Sequence, residues 1–246
     1  MTQSRFKGLL FCSALAFIFA SCGSGSEKSG TADTTATDTT AKTPPPPPPS
    51  TIVTTPTNMA TVVHKVANYA KWFASYEAGD SSRLAHGVHN YVIGRGFLDS
   101  NMVLVAVKID DTAKAMAFWK SPDLQKSIKK SGIIGQPMMT TVTATWQDTA
   151  TISTKLRSRT TFMVKDWDAW VKAFEEGKQE RLDNGITDRV IGHDWADTKK
   201  VSLVTAITDT AKAFAYYKSD ALKKRRAASG VVGEPQRFLF NIVKRY

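Results

Sequence analysis

The chain has 246 residues, a formal net charge of +11 and only two cysteines, Cys12 and Cys22. Cys12 lies in a segment that we expect to be removed, so the mature chain has no disulfide, and thiol catalysis and thiolate metal sites are excluded.

Residues 1–21 have the pattern of a secretory signal peptide. Arg5 and Lys7 precede an apolar run at residues 9–20 that is about half as long as a bilayer-spanning helix. The run ends in Phe19-Ala20-Ser21-Cys22, which resembles the bacterial lipobox, although Phe19 stands where Leu or Val is usual. We therefore expect cleavage before Cys22, which becomes the lipid-bearing N-terminus. The alternative is a soluble exported protein with a stray cysteine.

Residues 22–57 are predicted to form a disordered tether. They are rich in Gly, Ser, Thr and Ala and include the proline run 44–49. The tether would hold the folded part away from a bacterial membrane, with the outer membrane or its periplasmic face favoured. Basic clusters at predicted helix ends, around Lys129 and Arg225, could then contact anionic lipid or lipopolysaccharide. Export argues against nucleic acid as a partner.

The rest of the chain contains an internal repeat. Asp111-Thr112-Ala113-Lys114-Ala115 recurs as Asp209-Thr210-Ala211-Lys212-Ala213, and the same offset aligns Trp72 with Trp170 and Arg83 with Arg181 without a gap. The repeat predicts two copies of one domain, residues 58–147 and 158–246, joined by a linker at 148–157.

Each copy has the periodicity of a βαββαβ unit. An aromatic stripe with helical spacing, Tyr69, Trp72, Phe73 and Tyr76 in the first copy, predicts a helix that packs on a sheet. The Asp at the start of each Asp-Thr-Ala-Lys-Ala segment suits the N-cap of the second helix.

Each copy resembles the ferredoxin-like domain of the dimeric α/β-barrel superfamily, which includes antibiotic-biosynthesis monooxygenases. The resemblance rests on the aromatic first helix, the Val92-Ile93-Gly94 strand, and the segments 121–124 and 131–137. It implies an α+β fold in which two tandem domains pair their sheets into a barrel within one chain. It does not specify a reaction.

Alternation along the second strand of each copy predicts which side chains face the barrel lumen. Even-numbered residues, such as Val92 and Gly94, are apolar or small, so the odd-numbered ones should face the lumen. The copies differ most at these positions, which predicts two non-equivalent half-sites. The lumenal candidates are His89, Tyr91, Ile93, Arg95 and Phe97 in the first copy and Thr187, Arg189, Ile191, His193 and Trp195 in the second.

Two functional hypotheses follow. In the first, the protein binds a small ligand: Arg95 and Arg189 hold its anionic group, and Tyr91, Phe97 and Trp195 contact an apolar or aromatic body. In the second, the protein is a cofactor-independent monooxygenase or isomerase. There His193 or His64 would act as the base and Arg95 would stabilise an enolate-like anion.

A third hypothesis, haem binding, is weaker because the second helix of each copy carries no histidine. None of the four histidines is spaced as in a zinc motif, so no metal or other cofactor is expected.

Overall fold

The computed structural model describes residues 49–246. The predicted signal peptide, the lipidation site at Cys22 and most of the predicted tether lie outside the described residues. The strands are β1 (Ile52–Val53), β2 (Thr57–Val66), β3 (Val88–Gly96), β4 (Met102–Ile109), β5 (Ile133–Asp148), β6 (Leu156–Val164), β7 (Ile186–His193), β8 (Lys200–Ile207) and β9 (Val231–Arg245). The helices are α1 (Tyr69–Ala78), α2 (Asp80–Ala85), α3 (Thr112–Lys120), α4 (Pro122–Lys130), α5 (Trp167–Glu176), α6 (Lys178–Asp183), α7 (Thr210–Lys218) and α8 (Asp220–Ala228).

The elements follow the same order twice. We call β2 to β5 with α1 to α4 repeat 1, and β6 to β9 with α5 to α8 repeat 2. Each helical crossover consists of two short helices in place of the single helix that the sequence predicted. In the first crossover of repeat 1, α1 ends at Ala78, the N–H of the next residue, Gly79, bonds back to the Tyr76 carbonyl, and α2 begins at Asp80.

The repeated Asp-Thr-Ala-Lys-Ala segments begin helices, as predicted. The Asp111 carboxylate accepts hydrogen bonds from the backbone N–H groups of Ala113 and Lys114, at 2.8 and 3.0 Å. Asp209 accepts one from Lys212 at 3.0 Å. Because the first N–H groups of a helix have no partner within it, these side chains fix the starts of α3 and α7.

The strands form one closed antiparallel barrel. Repeat 1 contributes the order β5-β2-β4-β3 and repeat 2 the order β9-β6-β8-β7. The two sheets join through β3–β9 and β5–β7, where the long strands β5 and β9 extend beyond their own repeat. The predicted fold class is confirmed: two tandem ferredoxin-like units pair their sheets into an α/β barrel within one chain.

The helices cover the outer face of the barrel, where the aromatic stripes are buried as predicted. Trp72 and Trp170 are each only 2% exposed. Trp72 stacks on Tyr76, and Trp170 stacks on Phe174. In residues 49–246, no helix is both long and apolar enough to cross a membrane.

Candidate functional site

A cavity of about 240 Å³ lies inside the barrel, between the two sheets. Both repeats line it, and most of its wall is apolar. Six of the apolar wall residues are Val92, Leu104, Val142, Val190, Val204 and Phe240. An apolar wall with a few polar groups is typical of small-molecule sites.

The polar lining of this lumen is strongly basic. Five cationic side chains contribute to it and only one carboxylate, that of Asp148. Four of the five cations are in repeat 2. The cations are Lys108, Arg157, Arg159, Arg189 and Arg245.

Arg189 has both a carboxylate and a carbonyl partner. Its guanidinium lies 2.9 Å from the Asp148 carboxylate and also donates to the Ala150 carbonyl. The side chains of Arg189 and Asp148 are 7% and 16% exposed. The only carboxylate of the lumen wall is therefore already engaged in a largely buried ion pair.

Arg157 is buried without a carboxylate. It is 3% exposed, and it donates to the carbonyls of Thr154 and Leu156 at 2.8 and 3.0 Å. No acidic side chain in residues 49–246 forms an ion pair with it. Burial, together with the neighbouring charges of Arg245 and Arg189, lowers the pKa of Arg157 to about 10.

Arg159 is less well satisfied still. It is 8% exposed and donates one hydrogen bond, to the Thr140 hydroxyl of repeat 1. Its Nε is buried and has no acceptor in the part of the chain that the structure describes. Burial alone lowers the pKa of this guanidinium to about 10. At neutral pH, Arg157 and Arg159 thus place two uncompensated positive charges beside an apolar cavity.

Repeat 1 contributes a polar pair, Tyr91 and Lys108, to the same lumen. The Lys108 ammonium lies 4.7 Å from the centre of the Tyr91 ring. Tyr91 and Arg189 line the lumen, on the side where the alternation predicts them.

The predicted alternation is wrong beyond these two residues, because each second strand contains a β-bulge. The pairing register of β3 shifts between Asn90 and Val92, and that of β7 shifts between Asp188 and Val190. A bulge adds one residue and reverses the facing of all later side chains. Val92 consequently lines the lumen.

The odd-numbered residues after the bulges therefore face the helices. Ile93 and Ile191 pack in the helix-side cores. Arg95 donates to the Ser100 carbonyl at 2.7 Å and lies over the Tyr69 ring. The His193 ring contacts Trp167 edge-on, and its Nδ1 lies 2.9 Å from the Asp194 carbonyl oxygen. Arg95 and His193 therefore do not form the predicted lumenal site.

The strand-end aromatics join the two repeats and do not enter the cavity. Trp195 of repeat 2 stacks on Trp119 of repeat 1, and Phe97 of repeat 1 contacts Phe214 of repeat 2 edge-on. The predicted contact of Phe97 and Trp195 with a lumenal ligand is therefore wrong.

The remaining predicted residues also lie outside the cavity lining. His89 pairs with Asp110 at 2.6 Å, and both side chains are largely exposed. Thr187 is half-buried in β7, at the position equivalent to His89. His64 is 5% exposed against Trp72, with both ring nitrogens unpartnered among the described residues. Burial lowers the pKa of His64 to about 4, so its ring is neutral at pH 7.

The sequence analysis missed four of the five lumenal cations, among them the two that lack a carboxylate partner, Arg157 and Arg159. The repeat boundaries predict Arg157 as the last residue of the linker, but β6 begins one residue earlier, at Leu156. The internal repeat could have revealed them. The two copies are offset by 98 residues, which aligns Arg157 with Met59 and Arg159 with Thr61, so two cations of repeat 2 replace uncharged residues of repeat 1.

No metal cluster is formed within residues 49–246: no three His, Cys, Asp or Glu side chains come together there as ligands. The cations of the lumen suit an anionic ligand, since guanidinium groups bind carboxylate and phosphate oxygens with two parallel hydrogen bonds.

No protein-family model matches the chain. No curated protein matches it either.

Solved structures match it over most of its length. An anthrone oxidase-like protein has 14% identity and a TM-score of 0.54, with 78% of this chain and 94% of that protein covered. A candidate monooxygenase from Fusobacterium nucleatum has 10% identity and a TM-score of 0.51 (77% and 93% covered). A haem-binding protein from Thermus thermophilus has 9% identity and a TM-score of 0.50 (80% and 94% covered). At such low identities these likenesses show the fold alone, which is that of dimeric α/β-barrel proteins.

Proposed function

We propose that this chain binds a small anionic molecule with an apolar or aromatic body in the barrel lumen. The observation that carries the proposal is the pair Arg157 and Arg159, two buried guanidinium groups that have no carboxylate partner among the described residues. Burying a charge without a counter-charge is costly. A ligand anion would remove much of that cost.

The shape and chemistry of the cavity narrow the ligand class. Its volume of about 240 Å³ is below the roughly 300–1,000 Å³ of sites for drug-sized molecules. The charge lies mainly on repeat 2, whereas Val92, Leu104 and Val142 of repeat 1 offer an apolar wall. These features favour a ligand with one anionic head and a short hydrocarbon or single-ring body.

Binding is a better-supported role than catalysis. The fold neighbours include a candidate monooxygenase and an oxidase-like protein, so an enzymatic role is compatible with the fold. However, the two histidines that the oxygenase hypothesis needs, His64 and His193, pack against helix-side tryptophans. The lumen offers Tyr91 and Lys108 as proton-bearing groups, but neither has a neighbouring base arranged as in a catalytic pair.

We also propose that the binding domain is exported and membrane-tethered through Cys22. The support is the sequence alone: the lipobox-like segment 19–22 and the proline-containing tether. Mass spectrometry of the mature N-terminus would test this. Diacylglyceryl-modified Cys22 supports the tether, and an unmodified N-terminus at another residue contradicts it.

The lumenal proposal is tested with two ligands that differ mainly in charge, octanoate and octanol. We expect octanoate to raise the melting temperature of the purified protein more than octanol does, because only the carboxylate pairs with the arginines. Native mass spectrometry of the protein as purified should also reveal a retained acid. Equal shifts with the two compounds, or no shift with octanoate or benzoate, would contradict the proposal.

A further inference from the structure

A second, smaller cavity of about 90 Å³ lies in repeat 2 on the opposite side of the sheet from the lumen. It is enclosed by β6, β8 and β9 on one side and by α5, α7 and α8 on the other. Aromatic and aliphatic residues form much of its wall, among them Phe162, Trp170, Leu203 and Leu222. Four arginines also reach it: Arg181, Arg225, Arg226 and Arg237.

Two of these arginines have carboxylate partners. Arg181 forms a buried two-pronged pair with Asp188, at 2.8 and 2.6 Å. The Nε of Arg225 donates to the Glu180 carboxylate at 2.6 Å. These pairs tie α6 to β7 and α8 to α6, so Arg181 and Arg225 have a structural explanation.

Arg226 and Arg237 lack such an explanation. Neither forms an ion pair within residues 49–246. The nearby exposed carboxylate of Glu234 lies beyond ion-pair distance from Arg226. Arg237 has a buried Nε without an acceptor, and its guanidinium carbon lies 3.5 Å from the centre of the Tyr217 ring. The Tyr217 hydroxyl is likewise buried without a described partner. Burial lowers the pKa of both arginines; the charge of Arg226 also lowers the pKa of Arg237, whereas Glu234 raises that of Arg226.

Repeat 1 shows that the fold does not require this arrangement. At the equivalent positions it has Ile128 for Arg226, Met139 for Arg237 and Trp119 for Tyr217. The same helix–sheet layer is therefore built without any of the three polar groups. Packing alone therefore does not explain why repeat 2 has these three polar groups.

We propose that the helix-side cavity of repeat 2 is a second anion site, specific for a small oxyanion group such as phosphate or a phosphate monoester. Arg226 and Arg237 would supply charge-assisted donors from two sides, and the Tyr217 hydroxyl a third donor. A volume of about 90 Å³ has room for an oxyanion head but not for a large body, since one water molecule takes up about 30 Å³ of liquid. This site does not depend on the proposed lumenal ligand, because the sheet separates the two cavities.

Calorimetric titration of the full chain with inorganic phosphate tests the proposal. The key variant replaces both arginines by their repeat 1 counterparts, Arg226→Ile with Arg237→Met. We expect it to bind phosphate at least 10-fold more weakly than the wild type. The lumen variant Arg157→Met with Arg159→Thr should bind phosphate normally, which separates this site from the lumen. The lumen variant also removes two positive charges, so it controls for net charge as well.

Circular dichroism and the melting temperature without phosphate establish that the double variant is folded, and the single variant Arg226→Ile serves if it is not. Vesicles of phosphatidic acid, with phosphatidylcholine as the neutral reference, distinguish a lipid phosphate from a free one. Loss of phosphate binding or of phosphatidic acid binding in the Arg226 and Arg237 variants supports the site. Which of the two is lost shows whether the bound oxyanion is free phosphate or a lipid headgroup. Binding that is unchanged in them, or absent from the wild type with both probes, overturns the proposal.

Discussion

The two repeats pack their helices onto the sheet in the same way but present different side chains to the lumen. Trp72 and Trp170 occupy equivalent positions and are equally buried. On the inner face of the first strand, by contrast, repeat 1 has Met59 and Thr61 where repeat 2 has Arg157 and Arg159. The tryptophan-centred packing of the helices is thus constrained, whereas the lumen and the helix-side cavity of repeat 2 are where the copies have diverged.

The comparison also separates two kinds of junction between the repeats. Gly94 in β3 and Gly192 in β7 are equivalent glycines, one at each seam of the barrel. A Cβ at Gly94 would collide with the Phe240 ring, whereas a Cβ at Gly192 would collide with the backbone carbonyl of Thr143. An aromatic ring can shift, but a strand carbonyl held in a ladder has less freedom.

The largest expected effect therefore comes from Gly192→Ala. We expect it to lower the free energy of unfolding by roughly 3 kcal/mol, and Gly94→Ala by about 1–2 kcal/mol. Urea denaturation of the two variants measures both values. Equal losses would show that the two seams are equally tolerant and that the carbonyl contact has no special role.

The next effect concerns His64, which has Phe162 as its counterpart in repeat 2. The pKa of His64 is lowered to about 4 in the folded protein, so the unfolded chain binds the proton more readily. The neutral His64 ring therefore contributes to the free energy of unfolding above pH 6.5, and this contribution is lost as the pH falls towards 4. The loss amounts to roughly 3 kcal/mol.

His64→Phe should remove this part of the pH dependence, because Phe has no proton to bind and the ring nitrogens have no partners to lose. Unfolding measured at pH 7 and pH 4.5 gives the difference for wild type and variant. His89→Thr is the control: it also removes a histidine, but an exposed one, and repeat 2 has Thr at the equivalent position. A variant whose acid sensitivity equals that of the wild type would contradict the burial of a neutral His64.

A smaller effect of opposite sign is expected for Arg159→Thr, which installs the residue of repeat 1. In the absence of ligand, it should raise the free energy of unfolding at pH 7 by about 2 kcal/mol, because an uncompensated buried charge is removed. Arg189→Tyr, also a repeat 1 residue, should destabilise the protein, because it leaves the Asp148 carboxylate unpaired. A loss of stability in Arg159→Thr would contradict an uncompensated buried charge at this position.

Much of the fold could be predicted from the sequence because the repeat and the helical periodicity are strong signals. The aromatic stripe and the Asp111 cap depend only on local spacing, and both were located correctly. The lumenal residues were harder to predict, because a β-bulge in each of β3 and β7 decides which side chains face the lumen. The alternation of apolar and polar residues does not reveal such a bulge. The two bulges place Arg95 and His193 on the helix side of the sheet. Arg157 was not a candidate because the sequence predicts a linker that extends to residue 157.

Calorimetric titration of octanoate into the wild type and into Arg157→Met with Arg159→Thr tests the central claim most directly. We predict that the double variant binds octanoate about 10- to 100-fold more weakly, the loss expected when charged hydrogen bonds worth about 1.5–3 kcal/mol disappear. Octanol should bind both proteins equally, and Lys129→Met should behave as the wild type. Equal octanoate affinities for wild type and double variant would contradict an anion site in the lumen.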